Sequence, residues 1–261
     1  IERKQNGSVT SAKGFRAGGT YAGLKTLEED TMDLGILVSE GPATVAGTFS
    51  TNRILSPSVT LSRGRAEKGL ARAVVANSGC ANCCVGAQGL TDAEEMAALA
   101  ALHVGVRSEE VLVASTGVIG VELPMALIRQ NIGNIDASVD GGHDFARSIM
   151  TTDSHPKDMA IALDIEGRKI TLGGAAKGVG MIHPQMATML CFIATDAPVE
   201  RGFLQDALID AVNDSFNMID VDGDQSTNDT VLVLANGAAG GATIESGSAA
   251  ASSFQAALTY I

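Results

Sequence analysis

Short apolar runs bounded by Gly, Asn or Asp recur along the chain at 45–49, 73–76, 111–114, 159–165, 169–172, 190–194 and 230–234, each with the length of a buried strand. Two stretches have helical period instead. Thr91 and Glu94 have capping-box spacing, which predicts a helix over 92–104, stopped by Gly105, with Met96, Leu99, Ala100 and Leu102 on its apolar side. A second helix is predicted over 200–213, where Phe203, Ala207 and Ala211 form one apolar row and Leu204, Leu208 and Val212 the next. Residues 237–253, rich in Gly, Ala and Ser, read as a low-complexity connection, and 253–258 as the opening of another amphipathic helix. Strands and helices mix without regular βαβ alternation. That predicts a layered α/β (α+β) architecture rather than a doubly wound nucleotide-binding sheet.

Composition narrows the function classes. The 261 residues carry 18 Lys+Arg against 30 Asp+Glu, a formal charge of -12, which opposes nucleic acid and anionic membranes as partners and points to small-molecule substrates. Aromatic residues are 3% of the chain and Trp is absent, leaving little for base stacking, whereas 30 glycines imply tight turns and close backbone approaches. No apolar stretch approaches the ~18 residues of a membrane span, so a cytoplasmic location is expected. The chain stops at Ile261 inside an expected helix, which reads as a fragment of a longer protein.

Two motifs invite a metal reading and do not sustain it. Cys80 and Cys83 have C-x-x-C spacing but no second pair, and the four histidines are scattered; the cysteines are expected as reduced thiols packed inside. A calcium loop starting at Asp220 would need Gly at its sixth place and Glu at its twelfth, where Gln225 and Val231 stand. Gly14, Gly18 and Gly19 make no dinucleotide fingerprint, since no strand precedes them and no helix clearly follows.

The segment Lys177-Gly178-Val179-Gly180-Met181-Ile182-His183-Pro184-Gln185-Met186-Ala187-Thr188-Met189-Leu190 carries a sharper option. A threonine hydroxyl attacking the preceding Ala187 carbonyl gives an ester, whose hydrolysis leaves Thr188 at the head of a second chain. Its freed α-amine, with an ordinary pKa near ~8, can then take the proton of its own hydroxyl. Equally, Thr188 can be the start of the strand that follows.

This segment resembles the self-cleavage region of the glutamate N-acetyltransferase family, also called ornithine acetyltransferases. Further blocks fall in the family's order: Lys13-Gly14-Phe15-Arg16-Ala17-Gly18-Gly19, Thr51-Asn52-Arg53, Asn77-Ser78-Gly79-Cys80-Ala81-Asn82, Ser115-Thr116-Gly117-Val118-Ile119-Gly120, Thr151-Thr152-Asp153-Ser154-His155-Pro156-Lys157 and Asp222-Gly223-Asp224-Gln225-Ser226-Thr227-Asn228-Asp229-Thr230. Cys83 and Cys84 depart from the pattern, which has small residues there.

The resemblance implies a layered α/β sandwich with N-terminal-nucleophile-like self-processing. It implies an α chain of residues 1–187 and a β chain beginning at Thr188, of which 188–261 is the N-terminal part, assembled as α2β2. It implies cleavage between Ala187 and Thr188, Thr188 as nucleophile and, through its α-amine, base, Thr116 and Gly117 as the oxyanion hole, and Thr151, Lys177 and Thr188 as substrate contacts. The expected reaction moves an acetyl group from N2-acetyl-L-ornithine to L-glutamate, without bound cofactor or metal, and bifunctional members also accept acetyl-CoA. Two rivals stand beside it: an N-terminal-nucleophile aminopeptidase or amidase, and a non-catalytic small-molecule binding fragment.

Overall fold

The computed structural model describes residues 1–26, 31–183 and 189–261. All seven expected strands form, and most extend beyond their apolar runs. In chain order the strands are β1 (Glu2–Arg3), β2 (Phe15–Thr20), β3 (Leu34–Phe49), β4 (Leu70–Cys80), β5 (Val111–Val118), β6 (Lys157–Ile165), β7 (Arg168–Lys177), β8 (Leu190–Thr195) and β9 (Thr230–Ala235). The helices are α1 (Pro57–Ala66), α2 (Gln88–Val104), α3 (Met125–Asn131), α4 (Gly142–Ser148), α5 (Arg201–Asn213) and α6 (Ala249–Tyr260).

The strands hydrogen-bond in the order β1-β6-β7-β8-β9-β3-β4-β5, with β2 also on β3. β3 is the joint. Its first half lies between β2 and β4, its register shifts between Val38 and Ala43, and its second half pairs with β9. Such an irregularity bends the strand and increases its twist, so one sheet folds over itself.

Strand alternation shows the resulting layers. Leu190, Phe192 and Ala194 of β8 and Leu232 and Leu234 of β9 enter a central core with Leu112 and Ala114 of β5 and Val74 and Ala76 of β4. Their neighbours Cys191, Ile193, Val231 and Val233 face a second core against α5 and α6, and Val75, Val111 and Val113 face a third against α2 and α3. Helices outside and two sheet halves inside make the layered α/β sandwich that was expected.

Several local expectations are corrected. α2 begins at Gln88 with Ala87 as a cap that makes no side-chain bond, so Thr91 is not the N-cap. Asn82 Nδ2 donates to the Gly89 carbonyl at 2.8 Å and anchors that extra turn. The buried positions of α2 include Ala93, Met96, Ala97, Ala100 and Ala101, which leaves Leu102 off the stripe and 83% exposed. α5 is as expected, with Glu200 as its N-cap accepting from Gly202 N and Phe203 N.

α6 starts at Ala249, inside the stretch read as a connection, because its run of alanines favours helix and Phe254, Ala257 and Leu258 are buried. β2 was missed because of its glycines: a Cβ on Gly18 would lie 2.3 Å from the Asp136 carbonyl oxygen, so only a bare strand fits. Cys80, Cys83 and Cys191 are buried free thiols, but Cys84, in the left-handed region at φ 59°, is exposed.

Candidate active site

β5, β7 and the segment leading into β9 converge on one end of the central core. Lys177 ends β7 and is registered with Leu190, the first residue of β8, which is registered with Thr230 of β9. Thr116 and Gly117 lie inside β5, beside Ser78 and Gly79 of the parallel neighbour β4. Asn77, Ser78 and Gly79 belong to the last part of that strand. Thr151 follows α4, and Lys25 Nζ donates to the carbonyl of Met150 just before it at 2.8 Å.

Lys177 joins the predicted residues. Its Nζ donates to Thr116 Oγ1 at 3.0 Å and to Thr151 Oγ1 at 2.8 Å. An ammonium has only donors, so both hydroxyls must accept from it, and each keeps its own hydrogen free to donate elsewhere. Lys177 is 3% exposed, and burial lowers its pKa to about 8, opposed by the carboxylates of Asp153 and Asp229.

Asp153 supports this arrangement from behind. Burial works against its charge, but the N–H groups of Gly178 and Thr151 and the Lys157 ammonium hold its carboxyl below the usual range. The same carboxylate thus fixes the backbone on both sides of the Lys177–Thr151 pair.

Gly117 is held by backbone crowding. Its φ is +132°, and a Cβ there would lie 2.3 Å from the Gly79 carbonyl carbon. The β4–β5 register breaks at this place, between Gly79 and Cys80. A parallel ladder that breaks beside an exposed Gly117 leaves main chain bordering open space. That space is a cavity of about 140 Å³ lined by Thr116, Gly117, Thr151, Lys177, Gly180 and Asn228, among others. A larger hollow of about 400 Å³ beside Arg3, His143 and Asp158 contains none of the predicted residues.

The structure therefore brings Thr116, Gly117, Thr151 and Lys177 together. Ala187 and Thr188 lie outside the described residues. Met189, next in the chain, donates its N–H to Asp229 Oδ1 at 3.0 Å.

Two buried side chains escaped assignment from sequence. Asn228 Nδ2 donates to the carbonyls of Ala81 at 2.7 Å and Ser115 at 2.8 Å, tying the cavity wall together. Asp229 is 0% exposed, and burial raises its pKa to about 8. Their signal was the polar run 226–229 placed directly before a strand that is apolar from Val231 onward. Among the described residues no group of three or more His, Cys, Asp or Glu could hold a metal ion.

The layered α/β sandwich thus sets one buried lysine and two threonine hydroxyls at the wall of a single cavity. The same fold is seen in a Burkholderia sp. beta-aminopeptidase, at 14% identity and TM-score 0.60 over 98% of this chain and 84% of that one. Residues 16–261 match the ArgJ family. The chain is 47% identical over 261 residues to the arginine biosynthesis bifunctional protein ArgJ of Dehalococcoides mccartyi, covering 100% of this chain and 64% of the relative's length. It also resembles an ornithine acetyltransferase from Mycobacterium tuberculosis solved in complex with ornithine, at 32% identity and TM-score 0.64, over 72% of this chain and 99% of that one. The chain belongs to the ArgJ family.

Proposed function

We propose that this chain carries the active centre of a self-processing acetyltransferase that moves the acetyl group of N2-acetyl-L-ornithine to L-glutamate. The observation that carries the reading is the Lys177 ammonium holding the Thr116 and Thr151 hydroxyls beside Gly117, at the strand end that β8 enters just after Thr188. Thr188 Oγ attacks the acetyl carbon while its α-amine takes the hydroxyl proton. The Thr116 hydroxyl, aligned by Lys177, and the Gly117 main chain donate to the oxyanion. The proton passes to the departing ornithine nitrogen, and the glutamate amine then attacks the acetyl-threonine ester. Thr151 and Lys177 contact the amino-acid substrate.

In this reading residues 1–187 are the α chain and Thr188 opens the β chain. An α2β2 assembly, a cytoplasmic location and use of acetyl-CoA as a second donor belong to the same proposal. No described helix is long and apolar enough to cross a membrane.

The fold likeness to an aminopeptidase favours one rival, in which water instead of glutamate resolves the acyl-enzyme. The first test is the intact mass of the denatured protein beside Thr188→Ala, with N-terminal sequencing of any smaller piece. A fragment beginning at Thr188, absent from the variant, is expected. Transfer retained by the alanine variant would sink the mechanism. Ornithine release that requires glutamate is the further expectation, and release into water alone would replace transferase by hydrolase.

A further inference from the structure

The adjacent cysteines Cys83 and Cys84 take no part in the chemistry above. In an extended chain neighbouring side chains point to opposite faces. Here Asn82 and Cys84 both have left-handed backbone, at φ 50° and 59°, and the turn they make brings the two sulfurs to 3.8 Å. The Gly120 N–H holds that turn by donating to the Cys83 carbonyl at 2.8 Å. Cys83 is buried and Cys84 exposed, so one thiol of the pair can meet a reagent while the other stands behind it. Cys80, which has C-x-x-C spacing with Cys83, is engaged elsewhere: its thiol donates to the Val121 carbonyl at 3.0 Å. The inner thiol of the pair also touches the site. Cys83 meets the Thr227 hydroxyl, and Thr227 Oγ1 donates to Asn228 Oδ1 at 2.7 Å. Thr227 and Asn228 both line the cavity of about 140 Å³, and Asn228 ties its wall to Ala81 and Ser115.

We propose that Cys83 and Cys84 are a dithiol modification site: a low-molecular-weight disulfide oxidises them to a reversible vicinal disulfide, and closing that bridge draws Cys83 from Thr227 and loosens the cavity wall. Exposed Cys84 reacts first. It loses its proton to solvent, and its sulfur attacks one sulfur of the reagent; the reagent S–S bond breaks and one half leaves as a thiolate, which solvent protonates. Cys83 then loses its proton, and its sulfur attacks Cys84 Sγ, expelling the second half of the reagent as a thiol. The protein pair has given up two electrons and two protons, and the reagent has gained both. Burial pushes the Cys83 thiol up, which keeps it protonated until the mixed disulfide stands beside it. The peptide joining the two residues is trans, which sets their Cα atoms ~3.8 Å apart, closer than the ~4.4–6.8 Å that an unstrained disulfide spans. The bridge is therefore easily reduced, the character of a regulatory disulfide and not of a structural one.

The test treats the folded protein with oxidised glutathione and reads intact mass and thiols. The mass should fall by two hydrogen atoms with no glutathione retained. Alkylation of the oxidised protein should label no cysteine in the native state and only Cys80 and Cys191 after unfolding, as mapped by peptide fragmentation, and dithiothreitol should return all four thiols. In Cys84→Ser the loss of two hydrogens should disappear. A stable glutathione adduct on wild-type Cys84, label on Cys84 after oxidation and unfolding, or a bridge that still forms in Cys84→Ser overturns the assignment, the last by placing it between Cys80 and Cys83. The wild-type labelling decides the matter even where the variant does not fold. Acetyl transfer should fall about tenfold on oxidation, since the wall positions the substrate, recover with dithiothreitol, and stay constant in Cys84→Ser under the same treatment. Transfer unchanged by a bridge that has formed refutes the link to the cavity wall. A reduced protein that transfers no acetyl group counts against the acetyltransferase reading instead, and the thiol count stands apart from that result.

Discussion

Replacing Lys177 by Met should separate stability from activity. Methionine approximates the length of the lysine stem and removes its charge. The lysine is 3% exposed, and its pKa falls from 10.5 to about 8, so folding holds the ammonium in a place that disfavours it by about 3 kcal/mol. Lys177→Met relieves that cost and gives up two hydrogen bonds to hydroxyls that can turn to water in the cavity. The variant is expected to be as stable as the wild type at pH 7, or more stable by ~1–3 kcal/mol. Acetyl transfer should fall about 10²-fold, the scale of one lost oxyanion donor, because Thr116 loses the partner that aims its hydrogen.

Urea unfolding at pH 7 to 10 and kcat/KM for ornithine release measure the two sides. Between about 8 and 10.5 the unfolded chain keeps the lysine proton that the folded chain has released, so wild-type stability rises with pH there and the variant's should not. Asp229 acts in a lower window. Its pKa, raised from 3.8 to about 8, makes wild-type stability fall as pH rises through that range. A variant destabilised by more than ~1 kcal/mol at pH 7, or one with no alkaline difference from wild type, would refute the claim that burial dominates at Lys177.

Gly117→Ala places a methyl 2.3 Å from the Gly79 carbonyl carbon at φ +132°, and should lower stability by about 3 kcal/mol or more, read as a drop in melting temperature. Thr116→Val should lower kcat by about 10²-fold with KM little changed, whereas Thr151→Val should mainly raise KM; the reverse split would exchange their roles. A thiol reagent should add once to the native protein, at exposed Cys84, and to all four cysteines only after unfolding. Burial that pushes Cys191 up to about 12 keeps that thiol protonated and inert.

Strands were legible wherever an apolar run was buried on both faces, as in β8 and β9, because such runs need little context. The bend in β3 was not, since 45–49 is only the apolar end of a 16-residue strand whose middle, Ser39 to Pro42, is polar or turn-like. Thr91 offered a local cap and lost to Asn82, whose bond to Gly89 extends α2 backward by a contact that spacing cannot reveal. Four residues of the site were named through family resemblance, and none of their contacts was readable. Lys177 lies 61 positions from Thr116 and 26 from Thr151, distances closed only by sheet order. Asp229 was overlooked for a related reason: its importance lies in burial, and a carboxylate in a polar run reads as solvated.

The register explains why both buried ionisable groups gather where they do. Lys177, Leu190 and Thr230 form one row across β7, β8 and β9, and Asp229 immediately precedes the last of them. The first residue of β8 therefore lies between a strand that ends in a lysine and one led in by an aspartate. Neither group is favoured there on its own, as burial moves each pKa against its charge. Both are nevertheless fixed by strands whose apolar faces are packed in two cores, so the sheet absorbs their cost. A threonine emerging on a flexible surface loop could use its α-amine as a base only by chance of orientation. Lys177 and Asp229, by contrast, are as rigid as the strands that carry them, and Asp229 already fixes the main chain at Met189.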